Sequence, residues 1–104
     1  MDRGEIWWAD LPAPVGRRPV LILTRSAAIP IRNQVVVAQV TRTVHGIQSE
    51  VSMTRSDGMP RRCVINCDVL LTVPKSRVDR RITQLTPSKM DEVHKALQFA
   101  MELP

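Results

Sequence analysis

Two adjacent arginines, Arg17 and Arg18, run through Pro19 into Val20-Leu21-Ile22-Leu23. The apolar run reads as a buried strand. Arginine cannot follow it inward, because desolvating an unpaired guanidinium costs several kcal/mol. It is expected at the rim, where its forked N–H groups suit a phosphate or a carboxylate. Arg42 follows the next apolar run, and Arg61 and Arg62 precede a later one. If three neighbouring strands gather these ends on one side, they form a cationic groove for a phosphodiester backbone. The alternative is a scattered, solvated basic surface. Thr41 and Thr43 bracket Arg42. A threonine at a strand end is commonly a β-former or a turn cap, but beside arginine it can donate a hydroxyl to a phosphate oxygen.

Asp68 interrupts an apolar run and calls for a partner, for which an arginine is the natural choice. It reads either as half of a structural ion pair or as a carboxylate that orients an arginine or moves a proton. His45 and His94 are the only histidines, and Cys63 and Cys67 the only cysteines. On a strand those cysteines stand about 13 Å apart, and no second pair accompanies them, so no metal site is expected. There is no glycine-rich phosphate loop and no nucleophile elbow. Any hydrolytic chemistry is therefore expected to need no cofactor. Trp7, Trp8 and Phe99 are the only aromatics, too few for a sheet that stacks several bases. Strand alternation puts Trp7 and Trp8 on opposite faces, one in the core and one at an edge or interface.

The elements that must position these groups are mostly strands. Glu5–Ala9, Pro19–Thr24, Gln34–Val40, Ile47–Met53, Arg62–Val73 and Arg80–Leu85 read as strands, separated by Pro and Gly signals. Thr86 and Pro87 read as N-cap and first residue of a helix whose apolar face is Met90, Val93, Leu97, Ala100 and Met101. This is a mainly β chain with one amphipathic helix, expected to form a small, strongly bent sheet or barrel spanning residues 1–104 as one domain. Hydrophobic residues make up 43% of the 104, enough for one core, and the net charge is +5. Twelve of the fifteen basic residues are arginine, the type suited to bidentate recognition of anions. No segment reads as a secretory signal or a membrane span, so a cytoplasmic protein with reduced cysteines is expected.

In their order, several segments resemble the MazF/PemK family of toxin endoribonucleases. They are Arg3-Gly4-Glu5-Ile6-Trp7-Trp8-Ala9-Asp10-Leu11, Arg17-Arg18-Pro19-Val20-Leu21-Ile22-Leu23, Val35-Val36-Val37-Ala38-Gln39-Val40-Thr41, Cys63-Val64-Ile65-Asn66-Cys67-Asp68 and Ile82-Thr83-Gln84-Leu85-Thr86-Pro87. The resemblance implies an SH3-like barrel of the CcdB/MazF kind, assembled as a twofold homodimer. It implies metal-free, sequence-specific cleavage of single-stranded RNA to 2′,3′-cyclic phosphate and 5′-OH ends. It also implies a cognate antitoxin with an acidic, flexible tail. By position, Arg18 corresponds to the family's catalytic arginine, Thr41 to its active-site hydroxyl and Asp68 to an acidic position. Arg17, Arg42, Thr43, His45, Arg61 and Arg62 are the candidate RNA-binding residues around them, with His45 and Asp68 the candidates for proton transfer.

Two departures bear on that transfer. The loop Pro12-Ala13-Pro14-Val15-Gly16 is short and carries neither acid nor histidine, and Asn66 stands where some members have arginine. Two rival readings share the fold or the charge. One is a toxin that poisons a protein such as DNA gyrase through its C-terminal helix and dimer face. The other is a basic dimer that coats nucleic acid without cutting it.

Overall fold

In the computed structural model, which describes residues 1–104, six strands precede a single α-helix. The strands are β1 (Glu5–Leu11), β2 (Gly16–Ile22), β3 (Gln34–Thr41), β4 (Glu50–Met53), β5 (Cys63–Pro74) and β6 (Val78–Gln84). The helix α1 covers Pro87–Ala100. Every pairing is antiparallel, in the order β4-β5-β3-β2-β1-β6. The result is a curled sheet with β4 and β6 as free edges, a half-barrel capped by α1.

The β-branched and aliphatic runs drive this layout, since each buried side chain of that kind is worth about 1.5–3 kcal/mol. Alternation divides them between two cores. Ile6, Leu21, Ala38 and Ile65 join Val93 and Ala96 of α1 in one. Ala9, Val20, Ile22, Val37 and Val73 form the other, on the opposite face. Thr86 caps α1 by accepting the Lys89 N–H at 3.2 Å. Lys89 Nζ donates to the Ser52 carbonyl at 3.0 Å and so ties the helix to β4.

The free edges are brought together without strand pairing. A 3-10 turn at Arg55–Asp57 follows β4, and Thr83 Oγ1 on β6 donates to the Asp57 carbonyl at 3.2 Å. Gly58 ends that turn at φ +91°, and a Cβ there would lie 2.3 Å from Thr83 Oγ1. Only glycine accepts both the backbone angle and the close approach.

Several sequence expectations shift. β2 starts at Gly16, because the tight turn lets Arg17 and Arg18 pair with Asp10 and Ala9 of β1, so both arginines lie inside the strand. β4 is confined to Glu50–Met53, since Ile47 belongs to the preceding turn and is exposed. Met101, expected on the helix's buried face, is exposed because α1 ends at Ala100. Trp7 and Trp8 do point to opposite faces, yet both are half-buried. Trp7 keeps its indole N–H satisfied by Glu5 Oε1 at 3.0 Å.

Candidate active site

The start of β2, the end of β3 and the start of β5 meet at one end of the sheet, because these three strands are neighbours and antiparallel. An open cavity of about 850 Å³ lies there. Arg18, Thr41, Arg42, Thr43, Arg61 and Trp8 are among the residues that line it.

Arg18 and Thr41 are its centre. The Arg18 guanidinium donates to Thr41 Oγ1 at 3.0 Å. Arg18 is half-buried, and no carboxylate lies within ion-pairing distance of it. Its charge is therefore available to an anion. Thr41 Oγ1 also accepts the Thr43 backbone N–H at 3.2 Å. A hydroxyl oxygen has two lone pairs, and both are occupied, so the Thr41 O–H is left to donate outward. Arg42 and Arg61 are exposed at the cavity wall without ion pairs.

Arg17 is a different kind of residue from its neighbour. It points to the other face of β2 and grips Asp79 with two hydrogen bonds, at 3.0 and 2.9 Å. A third bond reaches Asp10 at 3.1 Å. Hydrogen bonding to Asp79 and then to Asp10 raises the already high pKa of Arg17, and Arg17 in turn lowers that of Asp79. The Arg17 guanidinium also sits 5.6 Å from the centre of the Trp8 ring. Arg17 lines the cavity, but its charge is already neutralised.

Three other predicted residues are not brought to the cavity wall. Arg62 is exposed outside it. His45 lies in the exposed loop after β3, where Glu50 Oε1 accepts the N–H groups of His45 and Gly46 at 3.0 and 2.9 Å. Asp68 lies on a bulge: Ala38 pairs with Leu70 and Gln39 with Asn66, so Cys67, Asp68 and Val69 have no partners on β3. The bulge turns Asp68 to solvent, which removes the need for an arginine. Its carboxylate instead accepts the hydroxyl of buried Ser49 at 2.5 Å, and Asn66 Oδ1 accepts the Asp68 backbone N–H at 2.9 Å.

Sequence reading passed over Ser49, Glu50 and Asp79. Only the hairpin register could have flagged Asp10 opposite Arg17, and Asp79 comes from a strand far along the chain. Cys63 lies at the cavity floor, and burial, helped by the charge of Asp57, pushes its thiol up. Burial pushes Cys67 up to about 11. No three His, Cys, Asp or Glu side chains cluster as metal ligands would.

A curled antiparallel sheet with a C-terminal helix, presenting an arginine–hydroxyl pair at a cationic rim, places the chain among small half-barrel β proteins. The family model for the PemK-like, MazF-like toxin of type II toxin–antitoxin systems matches residues 2–101, and the chain belongs to that family. It is 39% identical over 101 residues to the probable endoribonuclease MazF5 of Mycobacterium tuberculosis, covering 96% of this chain and 92% of the relative. It is 40% identical over 99 residues to the probable endoribonuclease MazF2 of the same species, covering 94% and 95%. Among solved structures it resembles the M. tuberculosis toxin MazF-mt6, with a TM-score of 0.89, 34% identity and coverage of 96% and 98%. It also resembles a mycobacterial endoribonuclease in complex with its cognate antitoxin, with a TM-score of 0.89, 29% identity and coverage of 100% and 97%.

Proposed function

We propose that this toxin is an endoribonuclease that cuts single-stranded RNA at defined sequences, without a metal, using Arg18 and Thr41. The observation that carries the proposal is the Arg18–Thr41 pair: an unneutralised guanidinium beside a hydroxyl already oriented to donate. The relatives' names as endoribonucleases support the same reaction class.

In the proposed reaction the 2′-OH of the substrate attacks the adjacent phosphorus. The P–O5′ bond breaks, leaving a 2′,3′-cyclic phosphate. The proton of the 2′-OH passes to a base, and the departing O5′ takes one up to leave as 5′-OH. Charge builds on the phosphoryl oxygens as the bond forms. Arg18 and Thr41 donate to those oxygens, and one such well-placed donor is commonly worth about 3–4 kcal/mol. A charged guanidinium donates and has no lone pair with which to accept a proton, so Arg18 serves as an electrostatic clamp and is no base. Asp68 and His45 stand outside the cavity of one chain. The proton-transfer groups are therefore sought first among the groups at the cavity wall. Arg42, Thr43 and Arg61 flank the centre and would hold the backbone on either side.

The working form is proposed to be a cytoplasmic homodimer, restrained by a cognate antitoxin whose acidic tail lies along the cationic rim. The mycobacterial relative solved with its antitoxin supports such a partner. No helix is long and apolar enough to cross a membrane. The test is incubation of purified protein with end-labelled single-stranded RNA in EDTA. Fragments with 5′-OH and cyclic-phosphate ends are expected, and a single 2′-deoxy nucleotide at the cut position should abolish them. Intact RNA would favour a poison of a protein target.

A further inference from the structure

Trp8 lines two cavities at once. One is the cavity around Arg18 and Thr41. The other, about 680 Å³, lies over the free edge strand β6, with Arg55, Met59, Pro60, Arg80 and Ile82 in its wall. Trp8, Met59 and Pro60 belong to both, so the two cavities adjoin along these side chains. In the register, Trp8 stands opposite Pro19 on β2 and opposite Arg80 on β6, which sets the three in a row across the sheet.

The charges in this second cleft are unevenly used. Arg81 is neutralised by Glu5, whose Oε2 lies 3.0 Å from its Nε. Arg80 is exposed and makes no ion pair. Arg55 spends only its Nε, on the Pro60 carbonyl at 3.3 Å. Two unneutralised guanidinium groups thus border a floor made of an indole, a thioether and a proline ring. Arg17, anchored by two aspartates, sits against Trp8, its guanidinium 5.6 Å from the ring centre. Such a floor accepts the flat face of a base, and the guanidinium groups accept phosphate.

We propose that this cleft is a subsite for nucleotides flanking the cut bond, with a base against Trp8 and Pro60 and the backbone phosphate on Arg80 and Arg55. The proposal rests on the RNA reading above and deepens it. The cleft adjoins the Arg18–Thr41 cavity on its β6 side, so nucleotides on only one side of the cut bond are expected to reach it.

The test measures kcat and KM for the wild type, Arg80→Ala, Arg55→Ala and the double variant. The substrates are single-stranded RNAs sharing a mapped cut site and extended on one side or the other by about two to about six nucleotides. Extension on one side only should lower KM about three- to tenfold with kcat unchanged. Arg80→Ala should cancel that gain and reduce the salt slope of log KM by about 0.7 for each phosphate left without its arginine. It should cut the short RNA at the wild-type rate. Equal effects on short and long RNA, or no effect on either, would overturn the subsite. So would unchanged RNA kinetics together with lost binding of a poly-glutamate peptide, which would assign the cleft to an acidic partner. If the wild type cuts no RNA at all, the underlying reading fails first, and the subsite with it.

Discussion

Replacing Arg18 by alanine separates chemistry from folding. The Arg18 guanidinium makes one bond within the chain, to Thr41, and no ion pair. Losing that bond at a half-buried position costs about 1 kcal/mol. For a domain of this size that lowers Tm by roughly 4–8 °C, well inside a stability of about 5–15 kcal/mol. The loss in the transition state is larger. The clamp on the phosphoryl oxygens disappears, and Thr41 regains a lone pair and with it the freedom to turn its hydroxyl away. One donor of this kind is commonly worth a factor of about 100 to 1,000 in kcat. Arg18→Lys keeps the charge but not the fork, so it should fall between, at roughly tenfold below wild type. Arg17→Ala provides the contrast. That charge is already held by Asp10 and Asp79, so its removal should leave kcat within a few-fold of wild type. The assay is single-turnover cleavage of a labelled RNA in EDTA beside a thermal melt of each variant. An Arg18→Ala protein that melts as expected and still cuts within about fivefold of wild type would refute the reasoning.

Two further predictions concern what holds the site in place. Gly58→Ala should destabilise the fold by about 3 kcal/mol in urea titration, since its Cβ meets Thr83 Oγ1 at 2.3 Å and Thr83 Cβ at 2.8 Å at a backbone angle that alanine disfavours. Thr83→Ala in the same chain should recover only part of the loss, because the Cβ clash persists; full recovery would mean the backbone angle costs nothing. Glu5 is pushed up by burial, but hydrogen bonds from Trp7 and the Asp2 N–H and the charge of Arg81 outweigh this and hold its carboxyl below the ordinary 4.5. A lowered carboxyl stabilises the fold fully above that ordinary value, and the contribution is lost as pH falls through the folded one. Glu5→Gln should therefore flatten the acid side of the stability profile, and an unchanged profile would count against the Glu5 network.

The strands and the helix were legible because their signals are local. The β-branched run of β3 and the Thr86-Pro87 helix start each depend on neighbours a few residues away. The gathering of arginine-bearing strand ends on one side was legible in outline, because arginine is excluded from a core and sits at the ends of apolar runs; the pairing of Arg18 with Thr41 came only from the family resemblance. Asp68 shows where local reading stops. An acid inside an apolar run suggests a buried charge with an arginine partner, but a three-residue bulge opposite β3 carries it to solvent and to Ser49.

By itself, the sequence determined the strand-rich fold class, the capped amphipathic helix, the arginine-rich rim and, through its ordered motifs, membership of the PemK/MazF-like toxins. Tertiary structure alone decided which of two adjacent arginines is free. Alternation sends Arg17 and Arg18 to opposite faces of β2, but the neutralising Asp79 arrives from β6, two strands across the sheet and sixty-two residues along the chain. A pairing between residues so far apart depends on sheet order and register, and these arise from how all six strands bury their apolar faces together.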